Sequence, residues 1–156
     1  MRKYLPHILI ISFVFLLTPT AQVVSYAGAI EDAKEEVRNN PDDARAHYNL
    51  GYAYGNSGKY EEAIESYKHA IRIDPDYAEA HNELGPAYAN TGMTEKAIKS
   101  LKKAIEIDPD FATAHFNLGL VYELFNDRSS ALDQYEILKK LDSEQANKLF
   151  DWINSE

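Results

Sequence analysis

The chain has 156 residues, of which 45% are hydrophobic and 26% are charged, and it contains no cysteine. These values are typical of a globular protein of about one domain, and they exclude a fold held together by disulfides. The formal net charge of −9 disfavours binding to nucleic acid or to an anionic lipid surface, since no strong cluster of basic residues is evident along the sequence.

The amino terminus has the pattern of a secretory signal peptide. Two basic residues precede an apolar run over residues 8–17, and polar or small residues follow it. Ser25 and Ala27 supply the small side chains that cleavage after Ala27 requires, and a second site of this kind lies two residues later. The sequence therefore predicts a signal peptide over residues 1–27 and an exported product, either periplasmic or secreted. An uncleaved membrane anchor is the alternative, because a tilted span can be short.

The next segment, residues 28–43, is predicted to be a helix that caps the front of the fold. Residues 30–40 have a helical composition, and Pro41 aligns with Pro75 farther along the chain. The segment thus resembles the second half of a repeating unit whose first half is missing.

Three segments of 34 residues follow and align without gaps, at 44–77, 78–111 and 112–145. In each segment a leucine is followed four residues later by a tyrosine, which places both side chains on one face of a helix. These pairs are Leu50 with Tyr54, Leu84 with Tyr88, and Leu118 with Tyr122. Each segment is therefore predicted to begin with an amphipathic helix.

Small and turn-forming residues recur in the same register. Small side chains occur where two helices must approach closely, at Gly51, Gly85 and Gly119 and again at Ala63, Ala97 and Ala131. A residue that tolerates the left-handed conformation follows the first helix of each segment, at Gly58, Gly92 and Asn126. Each segment is thus a helix, a tight turn and a second helix.

These repeated positions resemble the tetratricopeptide repeat family. The resemblance implies an all-α fold, a right-handed α-solenoid of three helix-turn-helix repeats with a helical cap at each end. Residues 146–156 would form the carboxy-terminal cap, since their apolar side chains share one helical face. The last repeat departs from the pattern, with Leu138 in place of alanine and Ser143 in place of proline, as expected of a terminal unit.

The resemblance also implies a binding groove, because the first helices of successive repeats line the concave side of such solenoids. Aromatic and apolar residues take groove-facing positions in repeats one and three, at Tyr48, Tyr52, Phe116 and Leu120. A polar residue precedes each repeated leucine, at Asn49, Glu83 and Asn117. We expect these seven residues to bind the partner, with the polar three forming the floor of the groove, where an amide can both donate and accept hydrogen bonds.

No motif for catalysis, for phosphate binding or for metal binding appears in the sequence. His47, His81 and His115 recur one repeat apart, too far from one another to share a metal ion, and we expect them to pack near the start of each first helix. The sequence therefore predicts that the protein is not an enzyme and that it binds no cofactor, no metal and no small-molecule substrate.

The predicted function is a non-catalytic protein-protein interaction module that binds a peptide or protein partner in its concave groove outside the cytoplasm. The alternative is a structural scaffold subunit of an envelope or membrane-associated complex, which would use the convex face or the caps. The sequence does not identify the partner.

Overall fold

The structure, a computed structural model, describes residues 19–155, with side chains from Tyr26 onward. This part of the chain forms eight helices and no strand. The helices are α1 Pro19–Asn39, α2 Ala44–Asn56, α3 Tyr60–Ile73, α4 Ala78–Asn90, α5 Thr94–Ile107, α6 Ala112–Leu124, α7 Arg128–Leu141 and α8 Ser143–Ile153. The predicted all-helical solenoid is confirmed, since three hairpins, α2 with α3, α4 with α5 and α6 with α7, stack between α1 and α8.

The turn inside each hairpin depends on a residue in the left-handed conformation. Gly58 and Gly92 both have φ of 76°, and Asn126 has φ of 61°. Glycine adopts this conformation without steric strain, and asparagine adopts it with less strain than other non-glycine residues. The substitution of Asn126 for glycine in the third repeat therefore leaves the turn intact.

The repeated glycines of the first helices allow a neighbouring helix to approach closely, α3 at Gly51, α5 at Gly85 and α8 at Gly119. A Cβ atom added to Gly51 would lie 2.6 Å from the ring of Tyr67, and one added to Gly119 would lie 2.5 Å from Leu149 Cδ2. Both distances are far below van der Waals contact. The small residue is therefore required because a bulky side chain from the neighbouring helix fills the space above it.

The three recurring histidines lie near the start of each first helix, as expected, and each also forms a hydrogen bond to the preceding turn. The Nε2 atom of each ring lies at hydrogen-bonding distance from a proline carbonyl oxygen in the preceding turn. The pairs are His47 with Pro41 at 2.8 Å, His81 with Pro75 at 3.0 Å and His115 with Pro109 at 3.0 Å. A carbonyl only accepts, so Nε2 donates in each pair. The histidines thus hold the turn between repeats against the first helix.

Both caps begin earlier along the chain than the sequence predicts. Helix α1 begins at Pro19, inside the predicted signal peptide, and α8 begins at Ser143 rather than at residue 146. The earlier start of α8 has a local cause, because the Asp142 carboxylate accepts hydrogen bonds from the backbone N–H groups of Glu144 and Gln145. Residues 1–18, which include the predicted apolar run, lie outside the described residues. None of the described helices has the length and apolar character that crossing a membrane requires.

Contacts between helices show which side of the stack is concave. The first helices touch in sequence, α2 with α4 and α4 with α6, and α8 continues the series by packing on α6. The second helices α3 and α5 do not touch each other. Neighbouring units therefore approach more closely on the side of the first helices, and the stack curves towards that side.

Candidate functional site

A cleft of about 310 Å³ opens on the concave side of the stack. Tyr52 of α2, Glu83 of α4 and Asn117 of α6 line it together with Tyr60 and Tyr67 of α3. Tyr52 is 50% exposed, although large aromatic side chains are usually buried. We call this space the concave cleft. It unites three of the seven predicted groove residues in one concavity.

A short hydrogen-bonded chain forms the polar floor of the concave cleft. Asn117 Nδ2 donates to Asn82 Oδ1 over 3.0 Å, and Asn82 Nδ2 donates to Glu83 Oε1 over 3.0 Å. Asn82 is almost fully buried, at 1% exposure, so both bonds offset the loss of its hydration. This chain ties α6 to α4, and Asn82 is a member that the sequence analysis missed because its repeat position is aromatic in the other two repeats.

The third predicted floor residue, Asn49, has a different partner. Its Nδ2 atom donates to Glu36 Oε2 of α1 over 3.1 Å. Both residues line a second cleft of about 530 Å³ between α1 and α2, which we call the amino-terminal cleft. The two clefts share Tyr52 and Asn56, so they adjoin. The expected ladder of Asn49, Glu83 and Asn117 is therefore divided between two clefts.

Tyr48 belongs to an aromatic cluster and does not line the concave cleft. Its ring centroid lies 5.1 Å from that of Tyr77, 5.8 Å from that of Tyr67 and 6.4 Å from that of Tyr52. Burial raises the pKa of the Tyr48 hydroxyl well above its ordinary value, and the nearby charge of Glu83 acts in the same direction. Tyr48 thus packs against the exposed ring of Tyr52 and connects it to the buried aromatic cluster.

Leu120 is inaccessible, contrary to the expectation that it meets a ligand. It is 8% exposed and packs in a cluster with Leu138, Leu149 and Ile153. Phe116 is half-buried against the same cluster. The physical reason is that α8 occupies the place of a further first helix and covers the groove-facing side of α6.

The structure also joins two groups of basic residues, one on α3 and one on α5. A cleft of about 950 Å³ lies between α3 and α5, and we call it the basic cleft. Its lining contains six cations, Lys68, Arg72, Lys96, Lys99, Lys102 and Lys103, against the two acids Glu95 and Glu106. The expectation of no basic cluster is therefore wrong, because four of these cations fall within residues 96–103 of α5 and those of α3 face the same cleft.

Ion pairs neutralise part of the basic cleft. Lys68 lies 2.7 Å from Glu65, and Lys103 lies 2.8 Å from Glu106. Exposed pairs of this kind contribute at most about 1 kcal/mol to stability. Within residues 19–155 no group of three or more histidine, aspartate or glutamate side chains is arranged to hold a metal ion.

The ionisation of Glu83 gives a testable prediction. Burial raises the pKa of Glu83 above its ordinary value, and the hydrogen bond from Asn82 offsets only part of that rise. A carboxyl group with a raised folded-state pKa stabilises the fold fully below its unfolded-state pKa, and this stabilisation is lost as the pH rises through the folded-state pKa.

We therefore expect the free energy of unfolding of the native chain, relative to Glu83→Gln, to fall as the pH rises from about 4 through the raised folded-state pKa of Glu83. Urea denaturation of both proteins at several pH values measures this difference. Glu95→Gln, which removes an exposed carboxylate, is the control. Parallel pH profiles for the native chain and Glu83→Gln would contradict the prediction.

Two family profiles match the part of the chain that contains the repeats. The profile described as TPR repeat matches residues 56–92 and 91–124, and the profile described as tetratricopeptide repeat matches residues 33–65. The chain belongs to the tetratricopeptide repeat family. The match over residues 33–65 begins inside α1, which agrees with α1 being the second helix of an incomplete repeat.

Solved structures of tetratricopeptide repeat proteins have the same fold. A crystal structure of MamA protein is 31% identical, with a TM-score of 0.68 over 78% of this chain and 67% of that chain. MamA from Desulfovibrio magneticus RS-1, beginning at its residue 41, is 24% identical, with a TM-score of 0.71 over 80% and 71%. TTC0263, a thermophilic TPR protein in Thermus thermophilus, is 23% identical, with a TM-score of 0.73 over 86% and 78%. No curated protein matches the chain.

Proposed function

We propose that this tetratricopeptide repeat protein is a non-catalytic interaction module that binds a peptide or protein partner in its concave groove, outside the cytoplasm. The concave cleft carries the proposal, because it combines the half-exposed ring of Tyr52 with the polar side chains of Asn90, Thr113 and Asn117. An aromatic anchor beside groups that donate and accept hydrogen bonds suits an extended peptide backbone. Protein binding is also the general role of the repeat.

Capture of the partner tests the site. Tagged native protein is expected to retain a partner that mass spectrometry identifies, and the double variant Tyr52→Ala with Asn90→Ala is expected to lose it. Phe125→Ala is the matched control, because Phe125 is also an exposed aromatic residue but does not line the concave cleft. Equal recovery of the partner by the native chain and by the cleft variant would exclude binding in the concave cleft.

Export is part of the proposal and rests on the amino-terminal pattern of the sequence. The packed part of α1 supports it, since the buried residues Ile30 and Ala33 lie after the predicted cleavage position at Ala27. Removal of residues 1–27 would therefore leave both core side chains in place. The intact mass of the protein purified from its cells measures this, and a mass that includes Met1 would mean that the leader is retained.

The basic cleft favours a second candidate function, that of a scaffold subunit using its convex face. Lys96, Lys99 and Lys102 have no ion-pair partner within residues 19–155, so their charges remain available to an acidic surface. Replacing Lys99 and Lys102 with glutamate would then release the protein from its complex. The concave-cleft variant would leave that complex intact, and the same capture experiment separates the two functions.

A further inference from the structure

We infer that the concave cleft is a receptor for a cationic side chain, a lysine or an arginine of the partner, with Glu83 as its counter-ion. The inference rests on the proposed function and names the chemistry that the groove selects. The partner segment is accordingly basic where it crosses α4.

The charged residues that line the two adjoining clefts all have one sign. The concave cleft contains Glu83, and the adjoining amino-terminal cleft contains Asp32 and Glu36. Neither set of lining residues includes a lysine, an arginine or a histidine. The cations of α3 and α5 lie in the basic cleft instead. A basic segment is therefore attracted to the concave surface, and an acidic segment is repelled.

The Glu83 carboxylate is partly buried and has one oxygen without a hydrogen-bond partner among the described residues. Its Oε1 atom accepts the hydrogen bond from Asn82, whereas Oε2 accepts none from the residues that the structure describes. Burial disfavours its ionised form, and among the causes of its pKa shift no nearby cation opposes this effect. A buried charge is costly unless a charge of opposite sign or further hydrogen bonds compensate it. A ligand ammonium or guanidinium group supplies that compensation.

Tyrosines surround the carboxylate and extend the complementarity. Tyr52, Tyr60 and Tyr67 line the same cleft as Glu83. Aromatic rings attract cations through their electron-rich faces. The rings also provide an apolar surface for the long aliphatic stem of a lysine or an arginine. Short neutral polar side chains have no such stem. Carboxylate and rings together favour a long cationic side chain.

A purely structural role for Glu83 is the competing explanation, because its Oε1 atom ends the chain that links Asn117 to Asn82. Glu83→Gln distinguishes the two roles. This substitution keeps a carbonyl oxygen that accepts the hydrogen bond from Asn82, but it removes the negative charge. A structural role predicts unchanged ligand selectivity in this variant, whereas a cation receptor predicts that the preference for a basic ligand is lost.

The experiment uses the full chain and four acetylated, amidated pentapeptides that differ only in the central residue, which is lysine, arginine, norleucine or glutamate. Chemical-shift titration follows the backbone amides of Gly55 and Ala87, which line the concave cleft. We expect the lysine and arginine peptides to bind at least about tenfold more tightly than the norleucine peptide, a difference of about 1.4 kcal/mol. In Glu83→Gln this preference is expected to fall to about twofold or less.

Two controls keep the result specific. Glu95→Gln makes the same change of net charge away from the concave cleft and is expected to leave the preference for lysine and arginine peptides intact. An unchanged amide spectrum shows that Glu83→Gln folds. An equal loss of preference in Glu95→Gln would indicate long-range attraction and overturn the inference. Salt-sensitive self-association that Glu83→Gln abolishes would also overturn it, because a second copy would then be the occupant.

Failure of the inference and failure of the proposed function give different results. Equal binding of the lysine and norleucine peptides, or no binding of any pentapeptide while the captured partner still requires Tyr52, overturns the cation receptor and leaves the interaction module standing. Capture of the partner that does not depend on Tyr52 overturns both.

Discussion

Replacing Leu101 with alanine is expected to lower the free energy of unfolding by about 2–5 kcal/mol. Leu101 is 0% exposed and packs with Ala97, Leu118 and Val121 at the centre of the stack. Its side chain also fills the space beside Gly85, where α4 carries no Cβ atom. The loss is large because a cavity at this position borders the backbone of a rigid helix, which cannot collapse into it.

Chemical denaturation followed by circular dichroism measures the loss. Leu124→Ala is the matched control, because Leu124 ends α6 and is 45% exposed, so its truncation is expected to cost about 1 kcal/mol or less. Similar losses for the two variants would show that the centre of the stack is no more tightly packed than its surface.

Deletion of residues 143–156 is expected to destabilise the third repeat by about 3–6 kcal/mol, because burying each of the side chains of Leu149 and Ile153 contributes about 1.5–3 kcal/mol. Both are almost completely buried. The deletion also exposes Leu120 and Leu138, which α8 covers in the intact chain. The truncated protein is therefore expected to self-associate through this new apolar surface.

Size-exclusion chromatography and thermal unfolding test the deletion together. A chain that ends after Asn154 is the control, since it has a similar new terminus but retains all of α8. It also retains the hydrogen bond that Arg128 Nη2 donates to Asn154 Oδ1 over 2.8 Å. A deletion of residues 143–156 that remains monomeric and melts at the temperature of this control would contradict the role of α8 as a cap.

The two caps have different consequences for binding. Helix α8 removes Leu120 from the groove, so the accessible concave surface extends from α1 to the start of α6. Helix α1 adds acidic side chains to that surface, and Glu36 engages Asn49 there. The accessible groove is therefore shorter at its carboxy-terminal end and more acidic at its amino-terminal end than three identical repeats would make it.

The sequence by itself determined the repeat architecture. A 34-residue period, a left-handed residue at Gly58, Gly92 and Asn126, and a small residue opposite each bulky neighbour are local requirements of a helical hairpin. Such requirements are visible in the order of residues, because a helix fixes which side chains share a face. The positions of Tyr52, Glu83 and Asn117 on the concave side follow from the same periodicity.

Only the tertiary structure decided which residues at equivalent repeat positions remain accessible to a binding partner. Tyr52 and Leu120 share one position, yet the first is half-exposed and the second is covered by α8. Asn49 and Asn117 share another, yet one binds Glu36 and the other binds Asn82. The basic cleft likewise joins residues of α3 and α5 that the sequence keeps apart. A repeat period fixes the direction in which a side chain points, but its burial and its partners depend on the neighbouring unit, and these neighbours differ at the two ends of a short stack.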